Sequence, residues 1–214
     1  MMKNYGIPVA SEGWMFILPL AAVTALLFFL GWKNTAAVVL VLTLFVLFFF
    51  RDPERQVPEG KNLVVSPADG KVIVIKDVSE PTYLKQDVKQ ISIFLSVFNV
   101  HVNRAPLGGT VDAVQYNPGK FLAAWDDKAS LDNEQTAMVI AAGKNRVLVK
   151  QIAGLIARRI VCYAKAGDAV KTGERYGLIR FGSRVDLFLP KDAEIRVKVG
   201  DRVKGARDII GVVK

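Results

Sequence analysis

Beyond about residue 60 the sequence predicts a mainly β domain, preceded by a helical hairpin too apolar for an ordinary soluble fold. Three observations carry this. Two nearly charge-free apolar runs, 14–30 and 35–50, are separated only by Gly31-Trp32-Lys33-Asn34. After them, short Val- and Ile-rich runs alternate with clusters of Gly, Pro, Asn and Asp, the pattern of many short strands. Gly167-Asp168-Ala169-Val170-Lys171 also recurs as Gly200-Asp201-Arg202-Val203-Lys204, each copy between short Val/Ile runs. The division is therefore a hairpin over 1–50 and a globular domain over 51–214.

Composition agrees. The chain has 214 residues, 51% of them hydrophobic, and a mean hydropathy of +0.28. That is room for one domain and a membrane anchor. The single cysteine, Cys162, excludes an internal disulfide, and in Ile160-Val161-Cys162-Tyr163 it reads as a small buried hydrophobe. A reducing compartment fits. Net charge is +9, and apart from Lys3, Glu12 and Lys33 every charge lies from Arg51 onward. Basic residues are scattered without a recognition-helix or RNP pattern, so nucleic acid is not the expected partner. The neighbouring apolar runs favour an anionic lipid surface.

Within the hairpin, each run sits near the lower limit of about 17 residues for a span. Trp14, Trp32 and Lys33 can lengthen them at the interfaces. Neither run has a polar face, which argues against buried helices of a soluble core. The hairpin either spans twice or dips into one leaflet. If it spans, Arg51, Arg55 and Lys61 on the downstream flank put the large domain in the cytoplasm by the positive-inside rule. Pro53 and Pro58, with the charge cluster of 51–55, end the second helix.

Val64 to Ile75 reads as strand, Asp69-Gly70 turn, strand, with Asp69 doing turn chemistry. Residues 91–106 form one long β-rich run holding His101, the only histidine. If the protein uses a histidine base near neutrality, it is His101. Asn117-Pro118-Gly119 marks a turn into a polar loop, where Asp127-Lys128-Ala129 matches the lipoyl-attachment tripeptide. Arg158-Arg159 reads either as a solvated turn or as a bidentate site for a lipid phosphate. The stretch Arg180 to Pro190 places Gly182-Ser183 between apolar runs. Most Gly-Ser pairs are turns. Here Gly182 also leaves its own carbonyl open to attack by the Ser183 hydroxyl.

Taken together and in order, Phe50-Arg51-Asp52-Pro53, Ser66-Pro67-Ala68-Asp69-Gly70, Asn99-Val100-His101-Val102-Asn103-Arg104, Asn133-Glu134, Ala157-Arg158-Arg159-Ile160 and Phe181-Gly182-Ser183 resemble the motifs of phosphatidylserine decarboxylase proenzymes, in their short, membrane-associated prokaryotic form. The resemblance covers about residues 49–214. Longer relatives carry a second histidine where this chain has Arg104. One histidine then serves both maturation and turnover, or Arg104 takes part of the work. The repeated Gly-Asp-x-Val units are in turn similar to those of lipoyl- and biotinyl-type domains, which implies a barrel-sandwich-hybrid-like catalytic domain with two pseudo-related sheets.

The resemblance implies a covalent history. Ser183 attacks Gly182, the chain splits between 182 and 183, and Ser183 becomes a pyruvoyl group, the only cofactor, with no metal. The large chain is 1–182 and the small pyruvoyl chain 183–214, and the two stay associated. Ser183 as pyruvoyl takes the substrate amine as a Schiff base, His101 handles protons and Asp69 assists it. Arg158, Arg159 and Arg104 are the candidates for holding substrate. The substrate is a serine phospholipid with ester-acyl or ether-isoprenoid tails (phosphatidylserine or archaetidylserine), and the product is the ethanolamine lipid at the cell membrane. Two other classes stay open: a membrane-anchored lipoyl-like carrier modified on Lys128, and a relative that binds lipid without cutting itself.

Overall fold

The computed structural model describes residues 8–119, 133–154, 159–180 and 183–214. It divides into two compact units, Lys3–Glu54 and Arg55–Lys214.

In the first unit, a 3-10 turn at Ser11–Gly13 runs into helix α1, Trp14–Phe29, and Gly31 at φ 80° turns the chain into α2, Lys33–Phe49. Both helices are apolar on all sides and expose Leu18, Phe29, Val38 and Val41. The two interior hydroxyls need no water. Thr24 donates to Leu20 O and Thr43 to Val39 O, both at 2.8 Å, and the two hydroxyl oxygens lie 3.4 Å apart across the hairpin. Antiparallel ends are tied by Ala10 N–H to Phe50 O and Asp52 N–H to Pro8 O, both 2.8 Å. Among the described residues one helix, Ser11–Phe29 with 19 residues, is long and apolar enough to cross a membrane, and Lys33–Phe49 is a shorter apolar helix. At 1.5 Å per residue the first reaches about 28 Å, whereas the 17 residues of α2 reach about 25 Å against a core of about 30 Å.

The second unit is mainly β. In chain order its strands are β1 Leu63–Val65, β2 Gly70–Glu80, β3 Gln86–Leu95, β4 Val102–Arg104, β5 Gly109–Asn117, β6 Gln135–Ala142 and β7 Asn145–Ala153. Then follow β8 Ile160–Cys162, β9 Ala169–Val170, β10 Arg175–Ile179, β11 Ser183–Pro190, β12 Glu194–Ile195, β13 Arg202–Val203 and β14 Ile209–Val212. Eight of them form one sheet in the order β13-β2-β3-β11-β7-β6-β5-β9, and two three-stranded sheets, β1-β14-β12 and β4-β10-β8, accompany it. The main core includes Val72, Ile93, Val149, Val185 and Leu187 on one face of the large sheet. A smaller cluster of Leu84, Val88, Val139, Leu148 and Phe188 covers the other.

The sequence repeat is real in three dimensions, though it relates the two ends of a single sheet rather than two sheets. Gly167 N–H bonds Val111 O and Gly200 N–H bonds Val72 O, each at 2.8 Å. Asp168 caps Lys165 N–H and Asp201 caps Lys198 N–H. Gly167 and Gly200 sit at φ 92° and 102°, a conformation that calls for glycine. The strands that follow, β9 and β13, close the two opposite edges on β5 and β2. Both partner strands carry a bulge two residues in, between Val111 and Ala113 and between Val72 and Val74. A pseudo-twofold relation therefore exchanges the halves and places β11 and β7 at the centre.

Two local expectations change. Residues 64–75 are not a hairpin: β1 pairs with β14, and β2 with β3 and β13, so 66–69 is a crossover between sheets. It is fixed from outside by Ala206 N–H to Ser66 O and Ser66 N–H to Asp208 O, both 2.8 Å, contacts that no local pattern announces. The run 91–106 breaks after Leu95, because Asn99 Oδ1 accepts both Ser96 N–H and Ser96 Oγ–H and makes a tight turn. Cys162 is half-buried against the core, and burial pushes its thiol up to about 11.

Candidate active site

Ser183 opens β11, the strand between β3 and β7, facing Leu95 on one side and Ala153 on the other. Residues before it belong to the other sheet, since β10 ends at Ile179. The Gly182–Ser183 junction thus falls where the chain passes from the small sheet to the large one, although Phe181 and Gly182 themselves lie outside the described residues. Alternation along β11 turns Ser183 to the same face as Val185 and Leu187, into the main core. Its Oγ is fully buried and has no hydrogen-bond partner among the described residues. Such a hydroxyl costs about 1–3 kcal/mol.

The strand beside Ser183 is pinned. Asn133 Nδ2–H donates to Ala153 O at 2.7 Å and Ala153 N–H donates to Glu134 O at 2.9 Å. This gives Asn133-Glu134 a structural task that sequence alone did not supply. On the same face, one pair along from Ser183, Gln151 sits opposite Val185. Gln151 Nε2–H donates to Asn103 Oδ1 at 2.8 Å, while Gln151 Oε1 and Asn103 Nδ2 are buried without a partner among the described residues. Buried side-chain amides half-satisfied beside a buried hydroxyl are a site signature. Sequence reasoning gave neither residue a role: Asn103 stood only as part of the histidine motif, and Gln151 as a polar residue inside the strand Val147 to Ala153.

His101 is 1% exposed. Its backbone oxygen accepts Ile179 N–H at 3.3 Å, which lays it alongside the segment leading to Ser183. Its Nδ1 lies 3.0 Å from Asn99 O. A carbonyl can only accept, so Nδ1 carries the proton of the neutral ring and Nε2 carries the lone pair a base requires. The Ser96–Asn99 turn thus orients the ring.

Asp69 is engaged elsewhere. Oδ2 accepts Arg55 Nη2–H at 2.9 Å and Oδ1 accepts Gly205 N–H at 2.7 Å. Among the described residues it makes no hydrogen bond to His101, so the structure does not join the two. Asp69 instead fastens the crossover before β2 to the loop after β13. Arg104 is buried and donates to Gly173 O at 3.3 Å, on the side of β4 that pairs with β10. Arg159 is exposed, and its carbonyl accepts Arg180 N–H at 3.2 Å, near the junction. Arg158 and Lys128 lie outside the described residues.

Directly after Ser183, the other face of β11 carries a buried ion pair. Arg184 Nε–H donates to Asp186 Oδ1 at 2.6 Å and its Nη2–H to Ser92 Oγ at 2.8 Å. Gln90 Nε2–H completes the set, to Asp186 Oδ2 at 3.0 Å and Ser92 Oγ at 3.1 Å. Next to Asp186 across the ladder, burial pulls the Lys150 ammonium below its ordinary pKa, against the opposing pull of Glu80 and Asp186.

Comparison with known proteins gives this arrangement its family. The family model for phosphatidylserine decarboxylase matches residues 42–211. The phosphatidylserine decarboxylase proenzyme of Geotalea uraniireducens is 49% identical over 213 residues, covering 99% of this chain and 100% of the relative. That of Syntrophotalea carbinolica is 49% identical over 214 residues with both chains fully covered. That of Symbiobacterium thermophilum is 48% identical over 204 residues, 95% of this chain and 94% of the relative. The buried serine at the start of a central strand, and the single histidine whose ring a turn orients, therefore belong to a chain of the phosphatidylserine decarboxylase family.

Proposed function

We propose that the protein cuts itself between Gly182 and Ser183 and then decarboxylates phosphatidylserine, or a closely related serine phospholipid, to the ethanolamine lipid. The observation that carries the reading is the fully buried Ser183 Oγ, without a partner among the described residues, at the first position of a central strand. A hydroxyl kept from hydrogen bonding in a dry site is available to attack a neighbouring carbonyl.

Maturation follows from the atoms. Ser183 Oγ adds to the Gly182 carbonyl, the amide nitrogen leaves, and an ester replaces the peptide bond. A base removes the Ser183 Cα proton, and the Cβ–O bond breaks to release Gly182 as a carboxylate. The dehydroalanine left at the new N-terminus gains a proton and hydrolyses to pyruvoyl and ammonia, with no oxidant or metal needed. His101, with its Nε2 lone pair, is the base. Asn103 Nδ2–H is a donor for the developing oxyanion.

The pyruvoyl group supplies an electron-accepting carbonyl for loss of carbon dioxide from an amine-bearing carboxylate. Around it, this chain holds the reacting end in place through the pinned Ala153 and the Arg184 network, and His101 returns a proton to the product. Arg159, with Arg158, meets the lipid phosphate, and Arg104, which is buried and donates to Gly173 O, is the third candidate for holding substrate. Asp69 acts on His101 indirectly, by fixing the crossover and the loop that bound its turn. The two chains, 1–182 and 183–214, stay together because β11 pairs along its length with β3, and β13 and β14 pair with β2 and β1. The pseudo-twofold sheet with its paired Gly-Asp-x-Val edges supports a barrel-sandwich-hybrid ancestry for 51–214. Residues 1–50 anchor the enzyme, with the catalytic part on the cytoplasmic side by the charge of the downstream flank.

Ser183→Ala tests the reading by denaturing electrophoresis and intact mass. The wild type runs as two fragments split at 182–183, and the variant stays whole and inactive. A variant that still splits there, or a wild type found as one chain, removes the proposal.

A further inference from the structure

Behind the Ser96–Asn99 turn, on the opposite face of the sheet from the Ser183 side chain, lies an open cavity of about 560 Å³. Its walls include Lys71 of β2, Arg202 and Lys204 at β13, and Arg207. Asp69 and Asp208 also line it, but both are already engaged. Asp69 is held by Arg55 and the Gly205 N–H, and Asp208 by Arg207 and the Lys204 N–H. Lys71, Arg202 and Lys204 have no acidic partner among the described residues, so three positive charges are left over. Phe98 stands at the rim, 66% exposed, at the tip of the same turn. An aromatic side chain projecting beside unmatched cations matches the interface of a bilayer with anionic headgroups, where the ring enters the headgroup layer and the cations meet phosphates.

We propose that this cavity and Phe98 dock the catalytic unit on an anionic bilayer, taking the phosphodiesters of lipids other than the one undergoing reaction. The position on the face opposite Ser183 separates it from the reacting subsite. The docking turn is also the one whose Asn99 carbonyl orients His101.

The test uses the full chain in lipid nanodiscs and reads hydrogen exchange of residues 94–99 and 200–208, a measurement independent of decarboxylation. Adding phosphatidylglycerol to phosphatidylcholine slows exchange there by about tenfold, from three unmatched cations near an anionic surface. The protection disappears at about 1 M salt, where the Debye length is about 3 Å. It also disappears in Lys71→Ser/Arg202→Ser/Lys204→Ser, which keeps the wild-type unfolding midpoint. If the triple variant does not fold, the salt arm on the wild type decides. Equal exchange in the two disc types overturns the proposal, as does protection that survives the triple substitution. Protection by glycerol 3-phosphate in detergent without a bilayer overturns it too, by making the cavity a site for a soluble phosphate.

Discussion

The two faces of β11 handle polar groups in opposite ways. Toward the smaller cluster, Arg184 and Asp186 are 1% and 0% exposed, yet they bond each other, Ser92 and Gln90. Toward the main core, Ser183 is equally buried and its hydroxyl has no partner among the described residues. On the proposed function, the difference separates holding from reacting. The bonded network holds the side chain of residue 184, and the adjacent hydroxyl, without a partner among the described residues, would be left for chemistry. Anchoring the residue after the proposed cut keeps the new chain end in register, whatever bond changes occur on its N-terminal side.

Four substitutions probe that contrast. His101→Ala acts on the reacting face and should slow self-cleavage or turnover by about 10²- to 10⁴-fold. Time-resolved electrophoresis and product assay tell which step suffers. Wild-type rates in both would make the histidine structural. On the holding face, Arg184→Met strands the buried Asp186 carboxylate and should lower stability by about 3–5 kcal/mol in urea unfolding. Replacing both partners with apolar residues should recover much of the loss, and if it does not, the network is more than an anchor.

Asn133→Ala frees Ala153 O next to Ser183 and should cost about 1–3 kcal/mol. Self-cleavage should slow in the same variant, because the strand facing the serine loosens. Unchanged cleavage would confine the pinning to stability. The smallest effect is at Lys150. Its ammonium is disfavoured by burial, so the folded protein releases the proton before the unfolded chain does. Stability should therefore rise as pH climbs through the lowered folded pKa toward 10.5, and level off beyond it. Lys150→Met should abolish that rise in a pH series of unfolding midpoints.

What was legible in the sequence depended on how local its cause was. The Gly-Asp-x-Val repeat could be read because a positive-φ glycine and an Asp cap act within a few residues. The Asp69-Gly70 dipeptide suggested a hairpin for the same reason, and the suggestion failed. The partners that set its path, Arg55 and Gly205, are remote in sequence. Ser183, His101 and their neighbours were recognisable as motifs, whereas their geometry was not. Alternation along Ser183-Arg184-Val185-Asp186 reads as one core face and one wet face. The structure buries both, because β11 is central and Leu84, Leu148 and Phe188 cover the second. The roles of Gln151 and Asn103 were not legible, since a half-satisfied amide is visible only once its surroundings are known.

The central position of β11 has a last consequence, for the lifetime of the protein. A cut at 182–183 would leave the small chain carrying the middle strand of the large sheet plus β12, β13 and β14. Before the cut, unfolding would be an ordinary reversible excursion of one chain. After it, refolding would require two chains to meet, and the large one would have to reopen its sheet at the centre to readmit its missing strand. The matured protein would then persist because it unfolds slowly and not because it can refold, so its working life would be set by a rate.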